Sequence, residues 1–151
     1  MNYELFMAEA IAEAKRGAAE GEEPIGSVAV IDDAMIARDH DRTGLNDDPT
    51  AHAVLLTLQA ATGKLGARRL GELTIFTTHE PCAMCVGALL TADADGLVFA
   101  VPDATLGAAG SAVQLAGGNH LPQRLHVVSG IMRAEAAELL GSPAVGPTGR
   151  R

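Results

Sequence analysis

Residues 77–90 read TTHEPCAMCVGALL and join a predicted strand to a predicted helix. The apolar run over residues 73–78 forms the strand, Pro81 suits the turn, and residues 83–90 continue as the helix. Cys82 and Cys85 therefore belong to the first turn of that helix, where unpaired N–H groups and the helix dipole favour thiolates. Two thiolates at this spacing supply half of a zinc site.

A second segment offers the missing ligand. Residues 49–53 read PTAHA, and His52 lies at the start of a helix predicted for residues 51–61, with Thr50 as its cap. One histidine and two cysteines leave the fourth tetrahedral position open, which is typical of a catalytic zinc rather than a structural one. The sequence therefore predicts zinc held by His52, Cys82 and Cys85.

Three other interpretations of these residues remain open. A Cys-x-x-Cys pair that opens a helix also fits a thioredoxin-like redox site, although such sites need no histidine from another helix start. A purely structural zinc would need a fourth ligand, and His79 is near in sequence but at the end of a strand. The last interpretation is a buried histidine beside two unreactive core cysteines.

Composition narrows the class of protein. The chain has 151 residues, of which 48% are hydrophobic, and this predicts one folded domain with a sizeable core. A formal net charge of −8 argues against a broadly basic nucleic-acid-binding surface, and two cysteines in one motif give no disulfide framework. No apolar run approaches the roughly 20 residues of a membrane span. Acidic residues close to the first residue are unlike a signal peptide, so we expect a cytoplasmic protein.

The order of the predicted elements indicates an α/β fold. A first helix, a hairpin and then alternating helices and strands predict a mixed five-stranded sheet flanked by helices. We expect one domain over residues 1–140 and a loose tail, rich in glycine and proline, over residues 141–151. Besides the elements already given, the predicted helices cover residues 3–18 and 131–140, the latter with Ser129 as a cap, and the predicted strands cover residues 25–31, 34–38, 96–101 and 125–128.

Four stretches, in order along the chain, resemble the zinc-dependent cytidine/adenosine deaminase superfamily, and most closely the bacterial tRNA-specific adenosine deaminases. The superfamily signature is H-x-E followed by P-C-x-x-C. The resemblance implies the cytidine-deaminase-like three-layer fold, the zinc site predicted above and a homodimer. It also implies hydrolytic removal of an amine from a nucleobase, free or in a nucleoside or tRNA, with the base positioned by backbone N–H groups near Ala53 and Cys82. The stretches are PIGSV (24–28), DPTAHA (48–53), EPCAMCVGA (80–88) and DATLGAAGS (103–111).

One catalytic position departs from this signature. Two residues after His52, where the family has the glutamate that shuttles protons, the chain has Val54. Valine exchanges no proton, and general acid–base catalysis is worth about 10²–10⁴-fold, so we expect impaired or absent turnover. Three explanations are open: a substitution made to trap a substrate, a relative that no longer deaminates, or proton transfer by another group. The candidates for that group are His79, Glu80 and Asp41.

Other departures concern the substrate. Asp41 stands where the family has an asparagine that touches the base or sugar, and His79 replaces a small or apolar residue before Glu-Pro-Cys. The resemblance places Asp103 near the nucleotide that flanks the target base. The acidic charge, and an end without the family's basic and aromatic helix, weaken the expectation of tRNA as a partner. The alternative function is therefore a non-catalytic nucleobase- or nucleic-acid-binding module that retains a structural zinc.

Overall fold

The computed structural model describes residues 1–67, 70–118 and 121–141. Helices and strands alternate along these residues in the predicted order. None of the helices in these ranges combines the length and the apolar character that crossing a membrane requires. In chain order the elements are α1 (Tyr3–Ala19), β1 (Gly26–Ile31), β2 (Ala34–His40), α2 (Ala53–Leu65), β3 (Thr74–His79), α3 (Ala83–Thr91), β4 (Gly96–Val101), β5 (His126–Ser129) and α4 (Arg133–Leu140).

The strands form one mixed sheet in the order β2-β1-β3-β4-β5. β1 is antiparallel to both β2 and β3, whereas β3, β4 and β5 are parallel to one another. A two-residue turn joins β1 to β2, and both of its residues, Asp32 and Asp33, have positive φ angles, of 51° and 59°. Aspartate tolerates this conformation, which matches the twist of hairpin strands. The predicted hairpin and the predicted mixed α/β sheet are both confirmed.

Side chains alternate between the two faces of the sheet and build a hydrophobic core on each face. Val28 of β1 and Phe76 of β3 pack with α1 and α4 on one face. Their chain neighbours Ala29 and Ile75 pack with α2 and α3 on the other face. Both faces are therefore covered in a three-layer arrangement, which explains why the central strands are continuous apolar runs rather than alternating ones.

The bounds of α2 differ from the prediction at both ends. His52 rather than Thr50 is the N-cap residue of this helix, and the N–H and the hydroxyl of Thr50 donate to the carboxylate of Asp48. α2 therefore begins two residues later than predicted, at Ala53. It continues past its predicted end at residue 61 and ends at Leu65, where Gly66 takes the left-handed conformation common after helices.

The last helix is shorter than predicted. α4 begins at Arg133 rather than at residue 131, because Ser129 belongs to β5 and does not serve as a helix cap. The other helices and strands lie within two residues of their predicted bounds. Residues 142–151 of the predicted tail lie outside the described residues, and the prediction that they are loose is untested.

At Gly26 the backbone of α1 lies very close to the sheet. A Cβ built on Gly26 would overlap the carbonyl oxygen of Ala10 and the backbone nitrogen of Ala14 in α1. We therefore expect Gly26→Ala to push α1 off β1 and to lower the free energy of unfolding by about 1–3 kcal/mol, measured by urea denaturation.

Gly63→Ala is the matched control for this substitution. Residue 63 is exposed within α2, and a Cβ there meets no atom within 4 Å. Helix propensity then predicts a gain in stability of up to ~1 kcal/mol. Equal unfolding midpoints for the two variants would contradict the proposed close packing at Gly26.

Candidate metal centre

His52 is held at the start of α2 by the loop that precedes it. Asp48 accepts hydrogen bonds from the N–H and the hydroxyl of Thr50 at 2.8 and 2.7 Å, and these bonds, the backbone one first, lower the pKa of its carboxyl. The carbonyl oxygen of Ala51 accepts a hydrogen bond from the N–H of Arg42, which ties the loop to the end of β2. His52 is then the N-cap residue of α2 but makes no side-chain cap bond, and it lines a pocket instead.

The two cysteines are presented by α3 in a similar way. Pro81 leads from the end of β3 into Cys82, which is the N-cap residue of α3 and also makes no side-chain cap bond. Cys85 lies one turn later and is buried, whereas Cys82 is partly exposed. The N-termini of α2 and α3 therefore meet at one place, where their N–H groups and dipoles favour negative charge on sulfur.

The three predicted ligands converge. The Sγ atoms of Cys82 and Cys85 lie 3.4 and 3.6 Å from Nδ1 of His52, and all three atoms lie within 4.8 Å of one another. On a tetrahedral zinc with Zn–S of about 2.3 Å and Zn–N of about 2.0–2.1 Å, sulfur and nitrogen ligands are about 3.6 Å apart. The donor set and its spacing therefore fit a tetrahedral metal with one position open to a further ligand.

The surroundings of Cys82 favour its thiolate. Its pKa is lowered to about 3, chiefly by a hydrogen bond from Cys85 and further by His52, against the opposite effect of partial burial. The thiolate is the form of cysteine that binds metals. One of the two sulfurs is therefore deprotonated at neutral pH before any metal binds.

The pocket in front of these ligands has an apolar wall. Ala53 and Val54, the first residues of α2, both line it. Val54 is 3% exposed and also packs into the core between the sheet and the helices α2 and α3. The side chain at the position predicted for proton transfer is therefore hydrocarbon. Ile25 and Thr77 also line the pocket. The sequence did not predict this, because nothing in it indicates that the segment before β1 lies near the start of α3.

His79 lines the same pocket and is paired with Asp103. Nε2 of His79 lies 2.9 Å from Oδ2 of Asp103, and the two side chains are 14% and 12% exposed. The other carboxylate oxygen, Oδ1, accepts hydrogen bonds from the N–H groups of Thr105 and Leu106 at 2.9 and 3.0 Å. The orientation of Asp103 is thereby fixed, although Asp103 is not one of the described residues that line the pocket.

Glu80 is buried and holds the loop that follows β4. Its carboxylate accepts hydrogen bonds from the N–H groups of Asp103, Ala109 and Ser111 at 3.0, 3.0 and 3.2 Å, and from the Ser111 hydroxyl at 2.5 Å. A Cβ on Gly107 would overlap this carboxylate, so only glycine allows the loop to approach so closely. Each oxygen of Glu80 thus accepts two hydrogen bonds, which indicates a structural role in organising the loop rather than a role as a base.

Asp41 lies beside the pocket rather than among the described residues that line it. It follows β2 and is fully buried, and its Oδ1 accepts hydrogen bonds from the N–H and the hydroxyl of Thr43 at 2.9 and 2.8 Å. Its own N–H donates to the carbonyl oxygen of Ile25, which does line the pocket. A role for Asp41 in substrate binding stays a prediction.

Known proteins are similar to this chain in sequence and in fold. A model of the MafB19-like deaminase family matches residues 1–134. The chain belongs to this family. The tRNA-specific adenosine deaminase of Bacillus subtilis is 37% identical over 139 residues, which make up 92% of this chain and 86% of that protein.

Solved structures of deaminases have the same fold as this member of the MafB19-like deaminase family. A chain from a study of A-to-I editing by tRNA:A34 deaminases matches with a TM-score of 0.86 and 36% identity, over 89% of this chain and 98% of that one. A guanine deaminase from Bacillus subtilis matches with a TM-score of 0.65 and 36% identity, over 68% of this chain and 66% of that one. The predicted superfamily and the predicted cytidine-deaminase-like fold are confirmed.

The lowered pKa of Cys82 predicts thiol reactivity that persists in acid. In chelator-treated protein, we expect alkylation of Cys82 by iodoacetamide to keep its rate between about pH 8 and about pH 5, because the thiolate persists down to a pKa of about 3. An ordinary cysteine, with a pKa of about 8.5, slows about tenfold per pH unit below that value. Timed quenching and peptide mass spectrometry give the rate at each thiol.

Cys82→Ser is the control for this experiment, since it keeps Cys85 as the remaining thiol. The variant is expected to lose the acid-resistant reaction. A tenfold slower reaction of Cys82 at about pH 6 than at about pH 7 would contradict the lowered pKa.

Proposed function

We propose that this chain is a zinc-dependent hydrolytic deaminase-family protein that acts on an amino-substituted nucleobase and whose turnover is impaired at Val54. One observation carries the proposal: His52, Cys82 and Cys85 converge at a pocket in a chain of a deaminase family. Three protein ligands leave one position open, as catalytic zinc sites do and structural ones do not. The imidazole beside both sulfurs also favours a metal site over a thioredoxin-like pair, which needs no third ligand.

The residues of the pocket have separate tasks in this proposal. His52, Cys82 and Cys85 would hold zinc, which when bound would supply a water molecule of lowered pKa. Ala53 opens α2, so its N–H has no partner within the helix and is suited to orient a polar edge of the base. Val54 contributes an apolar wall but can neither take a proton from water nor give one to a leaving amine. Turnover is therefore expected to fall by about 10²–10⁴-fold relative to a chain with an acid at this position.

The substrate is proposed to be a nucleobase with an exocyclic amine, free or in a nucleoside or tRNA. Similar proteins are named for adenosine in tRNA and for guanine, so these two bases are the first to test. The net charge of −8 predicts weak, salt-sensitive binding of RNA, whereas a free base carries no phosphate to repel. We further propose a homodimer in the cytoplasm, and light scattering in solution measures the oligomeric state.

A non-catalytic binding module is the second candidate function, and Val54 is the observation that favours it. A chain without a proton shuttle can still bind zinc through His52, Cys82 and Cys85 and still hold a base against the pocket wall. In this case the metal would contribute folding free energy and no chemistry.

Restoring a carboxylate at position 54 separates the two candidates. We expect Val54→Glu to raise ammonia release about 10²–10⁴-fold, from an anticodon stem-loop RNA with adenosine at the wobble position or from guanine, because it supplies a general acid–base group. Val54→Gln is the matched control, since its amide has a similar size but transfers no proton at neutral pH. A glutamate-dehydrogenase-coupled assay measures the ammonia, and zinc analysis with thermal melting checks that both variants fold.

The absence of ammonia release would identify the second candidate function. If Val54→Glu folds, carries zinc and binds these bases, but neither this variant nor the unchanged chain releases ammonia from them, the chain is a binding module and the deaminase proposal is wrong.

A further inference from the structure

We propose that His79, oriented by Asp103, performs the proton transfers that Val54 cannot perform. The inference rests on the proposed deaminase function and names the group responsible for the turnover that remains in this chain. It starts from the position of His79 on the wall of the same pocket as the three predicted metal ligands.

Few side chains of this pocket are able to exchange a proton near neutral pH. Among the described lining residues, three are the predicted metal ligands, and Glu80 already accepts four hydrogen bonds from the loop after β4. The hydroxyl of Thr77 donates to the carbonyl oxygen of His79 at 3.2 Å, and its pKa as an aliphatic alcohol is far above neutrality. His79 is the remaining titratable group of the described wall, and imidazole is the side chain that titrates nearest to neutral pH.

Asp103 selects one tautomer of His79. Its Oδ2 lies 2.9 Å from Nε2, so the neutral imidazole donates Nε2–H to the carboxylate, and Nδ1 carries the basic lone pair. Asp103 is in turn held by the N–H groups of Thr105 and Leu106 on Oδ1, and by Glu80, which accepts its backbone N–H. A carboxylate fixed in this way orients the ring and stabilises the imidazolium that forms when Nδ1 accepts a proton.

The proposed reaction needs two proton relays and no reactant besides water. As the water oxygen bonds to the amine-bearing ring carbon, Nδ1 of His79 takes a proton from the water and delivers it to the adjacent ring nitrogen. Nδ1 then takes the proton of the new hydroxyl and delivers it to the exocyclic amine. The C–N bond breaks with its electron pair on nitrogen, ammonia leaves, and the carbon becomes a carbonyl. His79 returns to its starting state, and the sum is one water consumed and one ammonia released.

Kinetics of the zinc-loaded chain and its variants test the proposal. We expect His79→Leu to lower kcat for the faster of the two test substrates, the stem-loop RNA or guanine, by roughly 100-fold or more, with KM changed less than about threefold. Asp103→Asn is expected to lower kcat at least about tenfold through the wrong tautomer. His126→Leu is the matched control, because His126 is exposed at the start of β5, on the far side of β4 from β3, and kcat should be unchanged.

A rescue experiment distinguishes proton transfer by His79 from a purely structural role of His79. Val54→Glu in the His79→Leu background is expected to regain the activity of Val54→Glu alone, because the new carboxylate makes the imidazole unnecessary. Loss of activity that this carboxylate does not restore would show that His79 supports the fold or the substrate, and would overturn the proposal. A rise in KM for Asp103→Asn with kcat unchanged would overturn the role given to Asp103.

A measurement independent of turnover reads the tautomer directly. In the full chain with ¹⁵N-labelled histidine, long-range ¹H–¹⁵N NMR should show His79 protonated at Nε2, with the signal assigned by its loss in His79→Leu. Asp103→Asn should change that tautomer, whereas a His79 protonated at Nδ1 alone in the unchanged chain would overturn the proposal.

The outcomes for the two proposals are distinguishable. If Val54→Glu releases ammonia and the unchanged chain releases none, the deaminase function stands and the role of His79 is wrong. If neither releases ammonia, the proposed function fails, and the role of His79 fails with it.

Discussion

The approach of the His52 imidazole to the sulfurs of Cys82 and Cys85 depends on how two helices begin. His52 and Cys82 are both N-cap residues with extended backbones, and neither uses its side chain to cap its helix. The first N–H groups of α2 and α3 are thereby left to favour negative charge at the sulfurs. The two helices keep these positions because they share the hydrophobic core on one face of the sheet. The packing of α2 and α3 against the sheet therefore also brings the three ligands together.

One buried carboxylate beside the metal ligands holds the loop that follows β4. Glu80 lies between β3 and α3 in the chain, and the loop that it holds follows β4, a parallel neighbour of β3. Its hydrogen bonds place Asp103 within reach of His79, so the acid that organises the loop also sets the geometry of the histidine pair. Such a buried network stabilises one arrangement when every acceptor is satisfied, as each oxygen of Glu80 is here. The same pocket is lined by the hydrocarbon side chain of Val54 and by the imidazole of His79.

The sequence predicted the parts of this structure that depend on local pattern. The apolar runs located the strands, the position of Pro81 predicted the turn before α3, and the spacing of the cysteines predicted the metal ligands that the structure brings together. The predicted start of α2 was wrong because Thr50 forms hydrogen bonds to Asp48 and does not cap the helix. Contacts between segments that are distant in the chain could not be predicted either, because they depend on how the strands pair. Nothing in a single sequence indicates that His79 meets Asp103, because the parallel pairing of β3 and β4 brings them together.

We propose that one imidazole and two thiolates, from the starts of two helices, bind one zinc ion. Zinc K-edge X-ray absorption of the purified chain measures this directly, because it counts ligands by element and distance. We expect two sulfur atoms at about 2.3 Å, one imidazole nitrogen at about 2.0–2.1 Å and one further light atom. A zinc shell of four sulfurs, a shell of light atoms without sulfur, or a chain that takes up no zinc would contradict this proposal.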